Sequence, residues 1–475
     1  MLKIILKNTV WLTLAELINK FTGLIIVILL TNYLPVSDFG KYSFAFAFVL
    51  IFGILAEFGF STFLTRDIAQ NLKDKSKLKK YLSNISTLKI FLSILTFFLV
   101  FIVINIFPKN HGLKELVYLA AIWVLINSFI QYYEGLFRAY EKMYYEVIIV
   151  SIAKISLLVL IFLAVIKKLS LNFIISSYSI AYLFALIVII LIIQKKYSRF
   201  SFKFDFDFWR FAIKESWPLG LAFALITIYF YSDTIFLGIF QSNKIVGIYS
   251  ASYKIVFFLE AFRRLFATSL YPSIPKLYHT SKQHLKELIL KTEKLSITFA
   301  IPLVFGGILL AEKILLLIFP KEYVAGKLAF QILLLGSLLM YANLTFPQFL
   351  HGINEQKKYL FVIASGAGSN IILNLLLIPK FSMIGAAIAT VISHLLVFIT
   401  AYYYTNRFLK INIFKFFLKP IIASLIMVLL LHILGLTVIP SIILGFIIYL
   451  TMMLIIKGVS IREIKGLFGK YQNNP

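Results

Sequence analysis

Fourteen apolar stretches of 17–25 residues run through this 475-residue chain, and they decide its fold class. A helix needs about 20 predominantly apolar residues to cross a bilayer. The stretches fall at 9–31, 41–63, 84–106, 113–133, 145–166, 172–193, 217–240, 246–270, 295–318, 328–350, 359–378, 384–405, 420–436 and 439–456. What remains, divided among fifteen loops and tails, leaves about eleven residues apiece. No soluble catalytic domain fits in such loops. Composition agrees: 61% of residues are hydrophobic and 14% charged, against about half and a quarter in ordinary soluble chains. The first span carries Glu16 and Lys20 and lacks a small-residue cleavage site, so it reads as an uncleaved helix. The expectation is an all-α integral membrane protein with about fourteen transmembrane helices.

Several chemistries are excluded on residue types alone. There is no cysteine, hence no disulfide, thiolate metal site or cysteine nucleophile. The six histidines stand singly, without the spacing zinc requires. A phosphate-binding GxxxxGK[ST] loop is missing; Gly466-Leu467-Phe468-Gly469-Lys470 lacks both the length and the hydroxyl. No metal, ATP site or cofactor is expected.

The formal net charge of +27 has to be sorted by side of the membrane. One alternate set of loops holds 31 Lys and Arg and the opposite set 9. The positive-inside rule then places both termini in the cytoplasm of a multi-pass plasma-membrane protein, with an even number of spans. The charge is topological signal with some attraction to anionic headgroups, and no nucleic-acid partner is implied.

An internal repeat organises the spans. A shift of 207 residues lays Gly40-Lys41-Tyr42-Ser43 over Gly247-Ile248-Tyr249-Ser250. A shift of 214 lays Glu141-Lys142-Met143-Tyr144-Tyr145 over Glu355-Gln356-Lys357-Lys358-Tyr359. Both matches occupy the same topological position in their halves. Because six spans is an even number, the halves run parallel about an axis along the membrane normal. The expected division is an N-lobe at 1–195, a cytoplasmic linker at 196–216, a C-lobe at 217–405, and two further helices with a basic tail at 406–475. Such halves rock about a site near the midplane.

These segments also resemble a known family. Gly352-Ile353-Asn354-Glu355-Gln356-Lys357-Lys358-Tyr359, Asn370 through Lys380, and Ile384-Gly385-Ala386-Ala387 are similar to the polysaccharide biosynthesis flippases, the Wzx-type O-antigen transporters of the MOP exporter superfamily. Leu34 through Ser43 resembles that family's first outer loop. Glu57 through Thr62, with Arg66-Asp67-Ile68-Ala69, resembles the end of its second helix. The resemblance implies two six-helix lobes around a central cleft, as in MATE-like transporters. It further implies a flippase that moves a polyprenyl-(pyro)phosphate-linked oligosaccharide across the plasma membrane for surface glycan assembly. Its implied partners are that lipid-linked substrate, the bilayer, H⁺ or Na⁺ for coupling, and other membrane proteins of glycan assembly. The family often has Arg-x-Asp in the seventh helix, where this chain has Tyr231-Ser232-Asp233.

Charges at bilayer depth are costly, at about 2.5 kcal/mol and more, so they face a cavity or a partner. The deep cations are Lys20, Lys89, Lys154, Lys254, Arg263 and Arg264, and the deep acids Glu16, Glu57, Asp233 and Glu260; Glu312 and Lys313 lie near a helix end. Arg263, Arg264, Lys254, Lys20 and Lys154 are the candidates for holding an anionic substrate, since guanidinium groups read phosphate by paired hydrogen bonds. Glu57, Asp233, Glu16 and Glu260 are the candidates for gating or ion coupling. The competing reading pairs Glu16 with Lys20, and Glu260 with Arg264, as i,i+4 ion pairs within single helices. The repeat sets Glu57 opposite Arg264 as a candidate gate. Tyrosines at 132, 133, 140, 144 and 145 read as an interfacial belt or, more sharply, as a sugar-stacking surface. Two other functions fit the same architecture: export of another cargo, lipid II-type or multidrug, and a membrane glycosyltransferase or polymerase. Clustered cations disfavour the drug exporter. Short outer loops disfavour the enzyme, which needs acidic residues for metal and base chemistry.

Overall fold

A computed structural model describes the backbone at 2–106, 111–199, 201–270 and 273–459, with side chains there except at 2–6, 9, 111, 261–262 and 264–270. Among the described residues every regular element is a helix. Contacts gather them into two units, Met1–Ala261 with Gly366–Ala386, and Phe262–Ser365 with Ala387–Pro475.

The first unit contains α1 (Leu2–Tyr33), α2 (Val36–Glu57), α3 (Phe60–Ala69), α4 (Lys75–Ile106), α5 (His111–Ala139), α6 (Tyr144–Ile166), α7 (Leu171–Lys196), α8 (Phe206–Phe240) and most of α9 (Asn243–Leu270). Within it α1 packs on α6, α5 on α7, and α2 on both α5 and α8. The outward faces stay apolar, with Phe98, Ile106, Val159 and Ile166 all more than half exposed. In water such surfaces would aggregate; in lipid they are the expected exterior.

Two local features shape this unit. The span expected at 41–63 is broken between α2 and α3, where Phe58 (φ +49°) and Gly59 (φ +79°) are left-handed. Glu57 caps the new helix, accepting hydrogen bonds from the N–H groups of Phe60 (3.1 Å) and Ser61 (3.2 Å). A helix break at bilayer depth is tolerated only where its freed polar groups find partners. The second feature is a backbone crossing of α2 and α9. A Cβ on Gly40 would lie 1.8 Å from the Asn243 carbonyl oxygen, and one on Gly247 would lie 2.2 Å from that of Val36. Gly40 and Gly247 are repeat mates under the 207-residue shift, and so are Val36 and Asn243. The contact is therefore reciprocal, as a two-fold relation requires.

The second unit contains α10 (Ser273–Thr280), α11 (Lys282–Leu309), α12 (Ala311–Ile318), α13 (Lys327–Ala342), α14 (Phe346–Gly352), both ends of α15 (Gln356–Leu409), α16 (Leu418–Leu434) and α17 (Val438–Ile455). Here α11 is the hub, packing on α13 and α16. It meets α12 at a bend of 79°. The core includes Ile297, Ile301, Phe346 and Phe349, and α17 joins through Tyr449, whose hydroxyl donates to the Thr298 carbonyl (2.6 Å).

Eleven described helices are long and apolar enough to cross a membrane, or twelve with the bent α11–α12 pair. The expected fourteen is reached only by two further steps. One divides the 54-residue α15 at Ser382, whose φ of +52° and ψ of −133° break the helix. The other adds α9, which is 28 residues long. Pro379, three residues before the break, removes a helical donor there.

Candidate functional site

Seven helices of the first unit, α1, α2 and α5–α9, line a cavity of about 440 Å³. Three lysines reach it: Lys20 from α1, Lys154 from α6 and Lys254 from α9. Glu134 of α5 is the carboxylate on the lining. Lys20 places its Nζ 3.8 Å from Glu16 and 3.8 Å from the centre of the Phe257 ring. Lys154 lies 5.8 Å from the ring of Tyr182 and close enough to Lys254 for the two charges to repel. The Glu134 charge is shared with Arg138 (3.7 Å), whose guanidinium also binds Glu146 through two hydrogen bonds of 2.9 Å. The cavity thus carries an excess of positive charge in a setting where charge is expensive, and an anion entering it relieves that cost.

The other expected site residues are placed differently. Glu57 does not line the cavity. Its carboxylate turns into its own bundle to cap α3 and sits beside the ammonium of Lys89. Lys89 is wholly buried and donates to the Ala56 carbonyl (2.5 Å), within 6 Å of the rings of Phe60, Phe129 and Tyr132. Glu57 is engaged at the α2–α3 break, and the side chain of Arg264, its expected partner in a gate, lies outside the described residues. Arg263 belongs to the second unit and does not line the cavity; it lies near Glu293, which accepts hydrogen bonds from the backbone (2.8 Å) and hydroxyl (2.5 Å) of Thr345. Glu16 pairs with Lys20, as the i,i+4 reading has it. Glu260 is buried on α9. Glu312 pairs with Lys327 (2.9 Å), and Lys313 donates to the Leu436 carbonyl (2.7 Å).

Asp233 is 1% exposed and sits in a hydrogen-bonded network. It accepts from Tyr249 Oη (2.6 Å) and Asn374 Nδ2 (2.7 Å). Asn374 also donates to Asn370 Oδ1 (2.9 Å), which accepts in turn from Ser232. Asp233 thus lies next to the cavity wall formed by Tyr231 and Thr234.

Sequence reasoning missed Glu134, which it assigned to a loop, and the small polar groups of the lining. Two of these, Ser43 and Ser250, fall inside the repeat match and carried the signal that would have found them. The tyrosines around 140 turn out to be helix fasteners. Tyr132 donates to the Tyr81 carbonyl (3.1 Å), Tyr133 bonds Ser86 (2.9 Å) and Tyr140 donates to the Leu72 carbonyl (3.0 Å).

Comparison with known proteins adds independent findings. The family described as "Polysaccharide biosynthesis protein" matches residues 5–278, and that described as "MatE" matches 218–376. An uncharacterized membrane protein of Methanocaldococcus jannaschii, MJ1068, is 24% identical over 437 residues, covering 85% of this chain and 84% of its own. The "Probable flippase AglR" of Haloferax volcanii is 34% identical over 171 residues, or 35% of each chain. Among solved structures, the lipid II flippase MurJ in an inward closed conformation superposes with a TM-score of 0.78 at 19% identity, covering 93% of this chain and 97% of that one.

Proposed function

Because the chain belongs to the polysaccharide biosynthesis protein family, whose match spans more than half of it, we propose that it is a flippase for a polyprenyl-(pyro)phosphate-linked oligosaccharide in the plasma membrane. The single observation that carries this reading is the cavity with Lys20, Lys154 and Lys254 on its wall. A diphosphate is an anion that these ammonium groups attract, while the prenyl tail stays in lipid. A cationic drug would meet repulsion in the same place, so the multidrug cargo fits poorly. Relatives bearing flippase names support a transporter over an enzyme.

The remaining elements follow from the same reading. The two repeat halves, 1–195 and 217–405, form parallel lobes with 196–216 as linker, and 406–475 adds two helices and a tail; the reciprocal Gly40–Gly247 contact supports this. Both termini are cytoplasmic, in line with the loop charges. Asp233 is the coupling acid for H⁺ or Na⁺, since Glu57 caps α3 and Glu16 pairs with Lys20. Arg263 and Arg264 remain candidates for an anion contact in another state of the cycle.

The test is reconstitution. In proteoliposomes holding a fluorescent lipid-linked glycan, the wild-type protein is expected to expose the glycan to an external lectin. The Lys20→Ala, Lys154→Ala, Lys254→Ala triple variant is expected to fall to the protein-free rate. Full activity in the triple variant overturns the proposal.

A further inference from the structure

Beside the lysines, the cavity carries uncharged polar groups. Ser43 of α2 and Ser250 of α9 both line it, at 7% and 3% exposure. Neither hydroxyl has a hydrogen-bond partner among the described residues. A buried helical serine normally bonds back to the carbonyl four residues earlier, as Ser252 does with Ile248 (3.2 Å). Ser43 and Ser250 are also repeat mates, three residues beyond Gly40 and Gly247. The two unpaired hydroxyls are therefore presented by the same turn of equivalent helices, next to the crossing.

A third unpaired donor stands on the same wall. Trp123 Nε1 is buried and lacks a partner among the described residues. Its indole packs edge-on against Tyr182 (5.6 Å between ring centres), Tyr178 (5.8 Å) and Phe46 (5.0 Å). Phe46 in turn contacts Tyr42 (4.8 Å), whose hydroxyl is held by that of Tyr178 (2.5 Å). All five rings line the cavity. Their interlocking fixes the wall before any ligand arrives.

Unpaired buried polar groups cost free energy until something bonds them. Neutral donors and acceptors set among aromatic faces suit a ligand that is itself both: a ring with hydroxyls around its edge and C–H groups on its face. We infer that this wall is a saccharide subsite, in which Ser43, Ser250 and Trp123 hydrogen-bond the sugar next to the diphosphate and the aromatic rings pack on its apolar face. The inference rests on the flippase reading for the diphosphate, and on the wall alone for the sugar. A prenyl tail in this place would leave all three polar groups unsatisfied.

The experiment measures equilibrium binding to the full chain in nanodiscs with two probes: polyprenyl diphosphate, bare and carrying one N-acetylhexosamine. The wild type is expected to bind the sugar-bearing probe at least about tenfold tighter, the lower end of what two or three neutral hydrogen bonds contribute. In Ser43→Ala with Ser250→Ala, and separately in Trp123→Phe, the ratio of the two affinities should fall toward one. Ser43→Thr with Ser250→Thr keeps the hydroxyls and should keep part of the ratio. If the wild type does not distinguish the probes, or the alanine and phenylalanine variants keep the full ratio, the subsite is wrong, and the diphosphate reading stands untouched. If the bare probe fails to bind while the sugar still adds affinity, the diphosphate reading fails and the subsite survives.

Discussion

Lys89 shows what a single charge does at bilayer depth. Its ammonium is fully buried, yet it satisfies the Ala56 carbonyl that the helix break frees and faces the carboxylate that caps the next helix. Removing the Lys89 ammonium leaves the Ala56 carbonyl without its donor and the nearby Glu57 carboxylate without a compensating charge, each costly when buried. Lys89→Met is accordingly expected to lower the thermal unfolding midpoint in detergent markedly. Lys89→Met combined with Glu57→Gln should recover part of the loss, because no bare charge then remains. Equal melting of the wild type and Lys89→Met would show that the pair carries no structural load. Lys20, Lys154 and Lys254 differ in kind. They line a cavity, so their removal should weaken anion binding more than it weakens the fold.

At the scale of the element, breaks matter more than lengths. Ser382 adopts a φ of +52°, a conformation in which a side chain is strained and glycine is not. Ser382→Gly is expected to stabilise the protein by about 1 kcal/mol, read as a raised unfolding midpoint. A lowered midpoint would mean that the hydroxyl does more than the backbone strain costs. The α2–α9 crossing makes the opposite prediction. At Gly40 a Cβ would meet a backbone oxygen at 1.8 Å, which no rotamer relieves. Gly40→Val must therefore part the two helices. A thiol introduced as Ser43→Cys should then react faster with a membrane-impermeant maleimide in the Gly40→Val background. An unchanged rate would mean that α2 and α9 separate elsewhere or not at all.

For the whole molecule the decisive quantities are orientation and coupling. The chain has no cysteine, so single introduced thiols report their side without interference. Lys77→Cys and Lys203→Cys should label only from the cytoplasm, and Lys168→Cys and Lys244→Cys only from outside. Any pair labelled from the wrong face refutes the charge-based topology. Coupling is tested on Asp233, whose burial among Tyr249 and Asn374 suits an acid that changes its charge during the cycle. With an opposing pH or Na⁺ gradient, wild-type transport should respond and Asp233→Asn transport should not. Wild-type transport indifferent to both gradients would remove that role.

Hydropathy alone established the class: apolar runs of this length have no stable home but the bilayer, and a helix there satisfies its own backbone. Residue spacing also pointed to the i,i+4 pair of Glu16 and Lys20, and depth to three cations that line the cavity, Lys20, Lys154 and Lys254, because depth along a helix is a one-dimensional property. Direction around the helix axis is not. The α2–α3 break turned Glu57 inward to cap α3, and Arg263, in the second unit, lies near Glu293. Glu134 lay at the edge of an apolar run, where hydropathy sees a loop and packing makes a wall. The cavity itself was set by how seven helices close on one another, and that depends on contacts between residues more than a hundred positions apart.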